Sequence, residues 1–216
     1  MKTTRRAPLL LLASMTVFFV LEEAAVHYMP ANAPLRALLK GLTSLCPALL
    51  CLLGARRSPS RLHIGLCLAL LLCLVGDVAI NLSMLAGIVF FAGAHVLLCA
   101  VDWRAMPAVR WQSALWAALS AAFIALAVLF RSRTGGLLPA VIAYILVLCA
   151  MITLSLRQRP LLRAGALIFA LSDFLLARNI ALGQTALSHF IALGVYYLAV
   201  GLIALVPWQD SKSGQA

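Results

Sequence analysis

The sequence predicts an all-α integral membrane protein, a single bundle of about eight transmembrane helices with both termini cytoplasmic. Three observations predict it. The chain has 216 residues of which 64% are hydrophobic, with a mean hydropathy of +1.06; a soluble domain averages about 45–50% apolar residues. Its apolar runs are long and continuous, not alternating, which selects helices over a barrel as the way to pair every backbone group inside lipid. Its basic residues fall mostly between those runs, as in the short connectors of membrane proteins.

The first run follows Lys2, Arg5 and Arg6 and precedes Ala31-Asn32-Ala33, the outline of a cleaved signal peptide. Glu22, Glu23 and His27 interrupt the interval between run and cleavage site, so an uncleaved span over 8–28 is expected, with Arg5-Arg6 as a topology determinant. Further runs of spanning length cover 35–54, 62–81, 82–101, 111–130, 137–156, 163–182 and 187–206. Breakers separate them: Pro30 and Pro34, Ser58-Pro59, Pro107, Gly135-Gly136, Pro160 and Gly183. The third and fourth runs are almost continuous and divide near Asn81-Leu82-Ser83. No linker is long enough to separate domains, so residues 1–216 read as one transmembrane domain.

Orientation follows from charge. With the N-terminus inside, Lys2, Arg5, Arg6, Arg56, Arg57, Arg61, Arg104, Arg110, Arg157, Arg159, Arg163 and Lys212 are cytoplasmic. Only Arg36, Lys40, Arg131, Arg133 and Arg178 lie on the opposite side. The net charge of +11 would suggest nucleic acid in a soluble protein, but no basic face with interleaved aromatics exists, so no nucleic-acid partner is expected. Cys46, Cys51, Cys67, Cys73, Cys99 and Cys149 all sit in apolar runs without a C-x-x-C, and read as small core residues. His27, His63, His95 and His189 are dispersed, with no metal-binding spacing, so no metal is expected.

The acids carry the functional signal. Asp102 and Asp210 fall in a connector and the tail, where a solvated role is expected. Glu22, Glu23, Asp77 and Asp173 lie inside spans, where an acid costs about 2.5–3.5 kcal/mol to insert. Such residues usually face the bundle interior and work there; the bland reading is a hydrogen-bonded acid that fixes helix packing. Glu22, Glu23 and Asp77 fall in the outer half of the membrane and Asp173 near its midplane. Lys40, Tyr144 and His189 fall in the outer half too, which would give one polar cavity open to the outer side. Helical spacing puts Cys73, Asp77 and Asn81 on one face, and Glu23 and His27 on another. Asp77 and Asp173 sit in similar settings, LVGD and ALSD, four spans apart, a match too short to establish a parallel duplication.

Six segments in order resemble the YhhN/TMEM86 family of membrane proteins, which includes the lysoplasmalogenases. They are LLKGLTS (38–44), LLCLVGDVAIN (71–81), AGIVFFAGAHVLL (86–98), LPAVIAYILVLCAM (138–151), RAGALIFALSDFLLA (163–177) and GVYYLAVGLIA (194–204). The fifth is the most specific, similar to the family's G-A-x-x-F-x-x-S-D pattern. The chain departs from the family where Gly41 replaces a usual Pro and where Ala199-Val200 replaces Ala-Gln; both departures bear on substrate detail more than on fold. The resemblance implies hydrolysis of the vinyl ether of lysoplasmalogens to a fatty aldehyde and a glycerophospho-ethanolamine or -choline. It places Asp77, His95, Ser172 and Asp173 on motif positions, with Lys40 and Tyr144 in support; Asn81 and Tyr197 lie in the matched segments.

Vinyl ether hydrolysis begins with protonation of the β-carbon, which makes an oxocarbenium ion that water then attacks. A carboxylic acid in low dielectric can stay protonated and deliver that proton, while a second, ionised carboxylate stabilises the cation. Glycosidases set two carboxylates against a similar ion. Asp77 and Asp173 are the candidate pair, with no cofactor required. Lys40 is a candidate for the substrate phosphate, and His95 and Tyr144 for orienting water or the acid. Glu22, Glu23, Asn81, Ser172 and Tyr197 are supporting candidates. Partners are then a lysophospholipid substrate and membrane lipid, and the expected location is the bacterial inner membrane. A small-solute or proton-coupled transporter would also carry intramembrane acids and would show proton flux without aldehyde. A non-catalytic lipid-binding protein would bind without turnover.

Overall fold

The computed structural model describes residues 6–29, 31–105 and 109–213. Lys2, Arg5, Pro30 and Pro107 lie outside the described residues, as do the side chains of Asp102, Arg104 and Lys212. The described residues form α1 (Ala7–Tyr28), α2 (Ala33–Ala55), α3 (Arg61–Ala79), α4 (Met84–Ala105), α5 (Arg110–Leu129), α6 (Arg131–Thr134), α7 (Leu138–Ser155), α8 (Pro160–Leu182) and α9 (Ala186–Ser213). Eight helices are long and apolar enough to cross a membrane, α6 and α7 counting as one continuous span.

Local chemistry sets the helix ends. Pro8, Pro34, Pro139 and Pro160 occupy first-turn positions, where their missing N–H is no loss. Asn32 Oδ1 accepts the Leu35 N–H at 3.1 Å and Ser60 Oγ accepts the His63 N–H at 3.1 Å, capping α2 and α3. At the junction of α3 and α4 a turn over 80–83 separates two nearly continuous runs, and Asn81 Nδ2 donates to the Asp77 carbonyl at 2.8 Å. The Gly135-Gly136 breaker is more ordered than a connector: a turn of α-helix, α6, leads into a 3₁₀ turn (Gly135–Leu137). Gly135 makes that corner with φ +54° and ψ −132°, a conformation a side chain would strain.

Packing places the helices. α2, α3, α4, α7, α8 and α9 each contact the next, and α9 returns to α2, so six helices close a ring. α1 lies against α2 and α9, and α5 lies against α7. The interior of the ring is filled by residues such as Leu50, Leu66, Leu162, Phe169, Val200 and Ile203. Large apolar side chains also cover the outside, among them Leu10, Val17, Val89 and Leu198, a surface suited to lipid tails and not to water. Gly165 lets α8 approach α9 closely, since a Cβ there would sit 2.7 Å from Ile203 Cγ1 and 3.3 Å from the Ala199 carbonyl.

One end of the bundle carries a polar cluster that overturns one expectation. Asp210 is not a solvated tail residue, because α9 continues through Pro207 to Ser213 and carries Asp210 back to the bundle. Its carboxylate pairs with Arg159 and accepts from His63 Nε2 at 3.0 Å. Beside it the Trp208 indole donates to the Leu50 carbonyl at 2.7 Å, under the Arg57 guanidinium at 4.1 Å. The four acids in the spans lie away from this end.

Candidate functional site

A cavity of about 470 Å³ opens in the half of the bundle away from the Asp210 cluster. Its walls come from α3, α4, α5, α6, α7, α8 and α9, with Lys40 contributed by α2. They are mostly apolar, including Ile88, Phe91, Val141, Leu148 and Leu193, a lining suited to a hydrocarbon chain. Both Asp77 and Asp173 line it, with Tyr144 and Tyr196. The two acids therefore share one chamber.

The two acids are held differently. Asp77 is fully buried on α3. Its Oδ2 accepts the Ser44 hydroxyl and the Tyr196 hydroxyl, the latter at 2.5 Å, and its Oδ1 lies 3.7 Å from Lys40 Nζ. Ser44 follows Lys40 by one helical turn, so one face of α2 supplies both partners. Asp173 on α8 has only uncharged or titratable partners. Its Oδ2 accepts the Tyr144 hydroxyl at 2.8 Å and meets His95 Nε2 at 3.1 Å. Its Oδ1 has no hydrogen-bond partner among the described residues. His95 is wholly buried and its Nδ1 has no partner among the described residues, so Nε2 is the ring nitrogen that meets Asp173.

Rings join the two acids. His95 packs edge-on to Phe169 at 4.7 Å between centroids, and Phe169 edge-on to Tyr196 at 5.4 Å. Cys73, one turn before Asp77, is buried on the same face of α3. Phe169 thus packs against both His95 and Tyr196, the rings that meet Asp173 and Asp77.

The scan against protein-family models matches the YhhN family over residues 35–206. The chain belongs to the YhhN family. The match takes in every cavity-lining residue named above, so the chamber lies wholly within the family's part of the chain. No curated protein and no solved structure matches significantly.

Other candidates fall into three groups. Glu22 is buried and accepts the Tyr197 hydroxyl at 2.8 Å, next to the Asp77 cluster, and does not line the cavity. Glu23 lies 3.6 Å from His189 and not against His27, whose ring packs on Tyr28. Asn81 lies past the end of α3 and serves the Asp77 backbone, and Ser172 lines the cavity but donates to its own helix at the Phe169 carbonyl, 2.7 Å away. Lys40 lines the cavity with its Nζ 3.7 Å from Asp77 Oδ1. Sequence reasoning missed Ser44 and Tyr196 as partners of Asp77. The signals existed: Ser44 stands at i+4 from Lys40, and Tyr196 at i+7 from His189, with Ala192 and Leu193 between them on the same cavity face. Among the described residues no three His, Cys, Asp or Glu side chains converge as a metal-holding group.

Proposed function

We propose that this YhhN-family protein hydrolyses the vinyl ether of lysoplasmalogens, giving a fatty aldehyde and a glycerophospho-ethanolamine or -choline, in a bacterial inner membrane with the cavity on the outer side. The observation that carries the reading is the unequal pairing of two acids in one apolar chamber. Asp77 has a cation and two hydroxyl donors, the setting of an ionised carboxylate. Asp173 has one oxygen occupied and one free to face a substrate, and we give it the role of proton donor.

In this mechanism Asp173 gives its Oδ1 proton to the β-carbon of the vinyl ether. Positive charge develops on the adjacent carbon and the ether oxygen, and the Asp77 carboxylate stabilises it across the chamber. The new Asp173 carboxylate is held by the Tyr144 hydroxyl and His95 Nε2–H, which lowers the cost of the transfer. Water adds to the cation and passes its proton to Asp173, which restores the acid. The hemiacetal then breaks to aldehyde and alcohol. Purified protein in nanodiscs should release aldehyde from a lysoplasmalogen. Asp173→Asn should lower kcat by about 10²–10⁴-fold, the usual range for general acid catalysis, and Asp77→Asn should lower it comparably with KM little changed. Full activity in both variants, or no aldehyde from the natural protein, would defeat this reading.

A further inference from the structure

The basic side chains that line the cavity divide into two kinds. Lys40 and His189 have acids beside them: Asp77 at 3.7 Å from Lys40, and Glu23 at 3.6 Å from His189. Arg133 on α6 and Arg178 on α8 line the same cavity, are exposed, and have no carboxylate partner among the described residues. Arg178 Nη1 reaches only the neutral Asn179 Oδ1, at 3.3 Å. Every acid with a described side chain is already committed: Glu22 to Tyr197, Glu23 to His189, Asp77 to Lys40, Asp173 to Tyr144 and His95, and Asp210 to Arg159 at the other end. Two guanidinium groups therefore line the mouth of this mostly apolar chamber with no carboxylate partner among the described residues.

Their position in the sequence makes them more notable. The charge distribution assigns only five of the 17 basic residues to this end of the spans, and Lys40, Arg133 and Arg178 are three of those five. Basic residues that run against the general bias gather where the cavity is. Guanidinium forks match the oxygens of phosphate better than they match any neutral group.

We infer that Arg133 and Arg178 form an anion subsite that holds the phosphate of a lysophospholipid, with its chain in the cavity. The inference rests on reading the chamber as a lipid site. Spacing supports a phosphate one glycerol unit from the reacting bond. Arg178 follows Asp173 by five residues on α8, a rise of about 7.5 Å. Five bonds separate the vinyl ether oxygen from phosphorus in the substrate, about 6 Å when extended at the reach per bond of an extended chain. An ether bond at Asp173 therefore brings the phosphate level with Arg178. Arg133 reaches the same mouth from α6, which the turn at Gly135 sets beside the start of α7.

The test separates this subsite from turnover by using lipids that cannot be hydrolysed here. 1-O-hexadecyl-lysophosphoethanolamine carries the phosphate on a saturated ether, and 1-O-hexadecylglycerol lacks it. Binding to the full chain in nanodiscs is measured for the natural protein, Arg133→Gln, Arg178→Gln and the double variant. Each single change should weaken the phosphate lipid about tenfold or more, equivalent to about 1.4 kcal/mol, with the neutral lipid unchanged. Equal weakening of both lipids, or of neither, overturns the subsite, as does inorganic phosphate binding as tightly as the lipid. Arginine-dependent lipid binding with no aldehyde from an alkenyl substrate upholds the subsite and defeats only the hydrolysis.

Discussion

The charge on Asp77 can be tested apart from catalysis, through Lys40. Their closest atoms are 3.7 Å apart, with side-chain exposures of 13% and 2%. At an effective dielectric of about 20 the Coulomb attraction at that distance is about 4 kcal/mol. Burying both ions offsets part of it, but removing one partner strands the other, which typically costs about 3–5 kcal/mol. Partial exposure of Lys40 reduces that, so Lys40→Met should destabilise the protein by about 2–3 kcal/mol. Asp77→Asn should cost about 2 kcal/mol for a related reason. The amide oxygen can replace Oδ2 and accept from Ser44 and Tyr196, but this turns the amide N–H₂ toward the Lys40 ammonium, donor against donor. With Met at position 40 that conflict is gone. The double variant should therefore be less damaged than the sum of the two by about 2 kcal/mol. Unfolding in mixed detergent micelles with rising dodecyl sulfate, followed by tryptophan fluorescence, would measure all four species. Costs that add within about 0.5 kcal/mol would show no coupling. They would refute an ionised Asp77 facing Lys40, and with it the division of roles between the two acids.

Three further outcomes follow from named contacts. Tyr144→Phe removes the 2.8 Å donor to Asp173 and should lower kcat about 10–100-fold, the worth of one hydrogen bond to a charged group, with lipid binding retained in the nanodisc assay. Gly165→Leu forces a side chain into Ile203 and the Ala199 carbonyl and should destabilise the bundle by at least about 1–3 kcal/mol, read as a lower melting temperature in detergent. Asp210→Asn releases Arg159 and His63 at the opposite end; it should cost about 1 kcal/mol of stability, since Arg159 is largely exposed, and leave KM unchanged.

The bundle was legible because its signals are local. Run length, breakers and caps act within a few residues, so the helix ends fall within a few residues of the expected boundaries for most spans. α9 differs because its polar end is held by tertiary partners: Asp210 meets Arg159 and His63 across helices, which no run length reveals. Asp77 and Asp173 stood out because an acid in an apolar run is costly and conspicuous. Ser44 and Tyr196 were quiet because a hydroxyl is cheap in a helix, and its partner lies on another helix. The chemistry of Lys40 makes it a candidate for phosphate, but its place beside Asp77 comes from the packing of α2 on α3, which no local signal carries. The arginines at the cavity mouth were counted among the outer charges, but nothing local set them apart from any connector.

The adjacent tyrosines of α9 show how one helix can keep two acids in separate settings. Successive residues of a helix point about 100° apart. Tyr196 reaches Asp77 and lines the cavity, while Tyr197 reaches Glu22 on α1, outside it. Tyr196 also packs on Phe169, which packs on His95, the partner of Asp173. A change at Tyr196 therefore touches both acids of the proposed pair, and a change at Tyr197 touches neither directly. Tyr197→Phe leaves a buried glutamate without its donor and should act on stability, by about 1–3 kcal/mol. Tyr196→Phe removes a donor to Asp77 and keeps the ring that supports His95, so it should act on kcat with little change in stability. Equal loss of activity in the two variants would mean that Glu22 belongs to the chemistry, and that the site is a triad of carboxylates around Lys40 and not a pair.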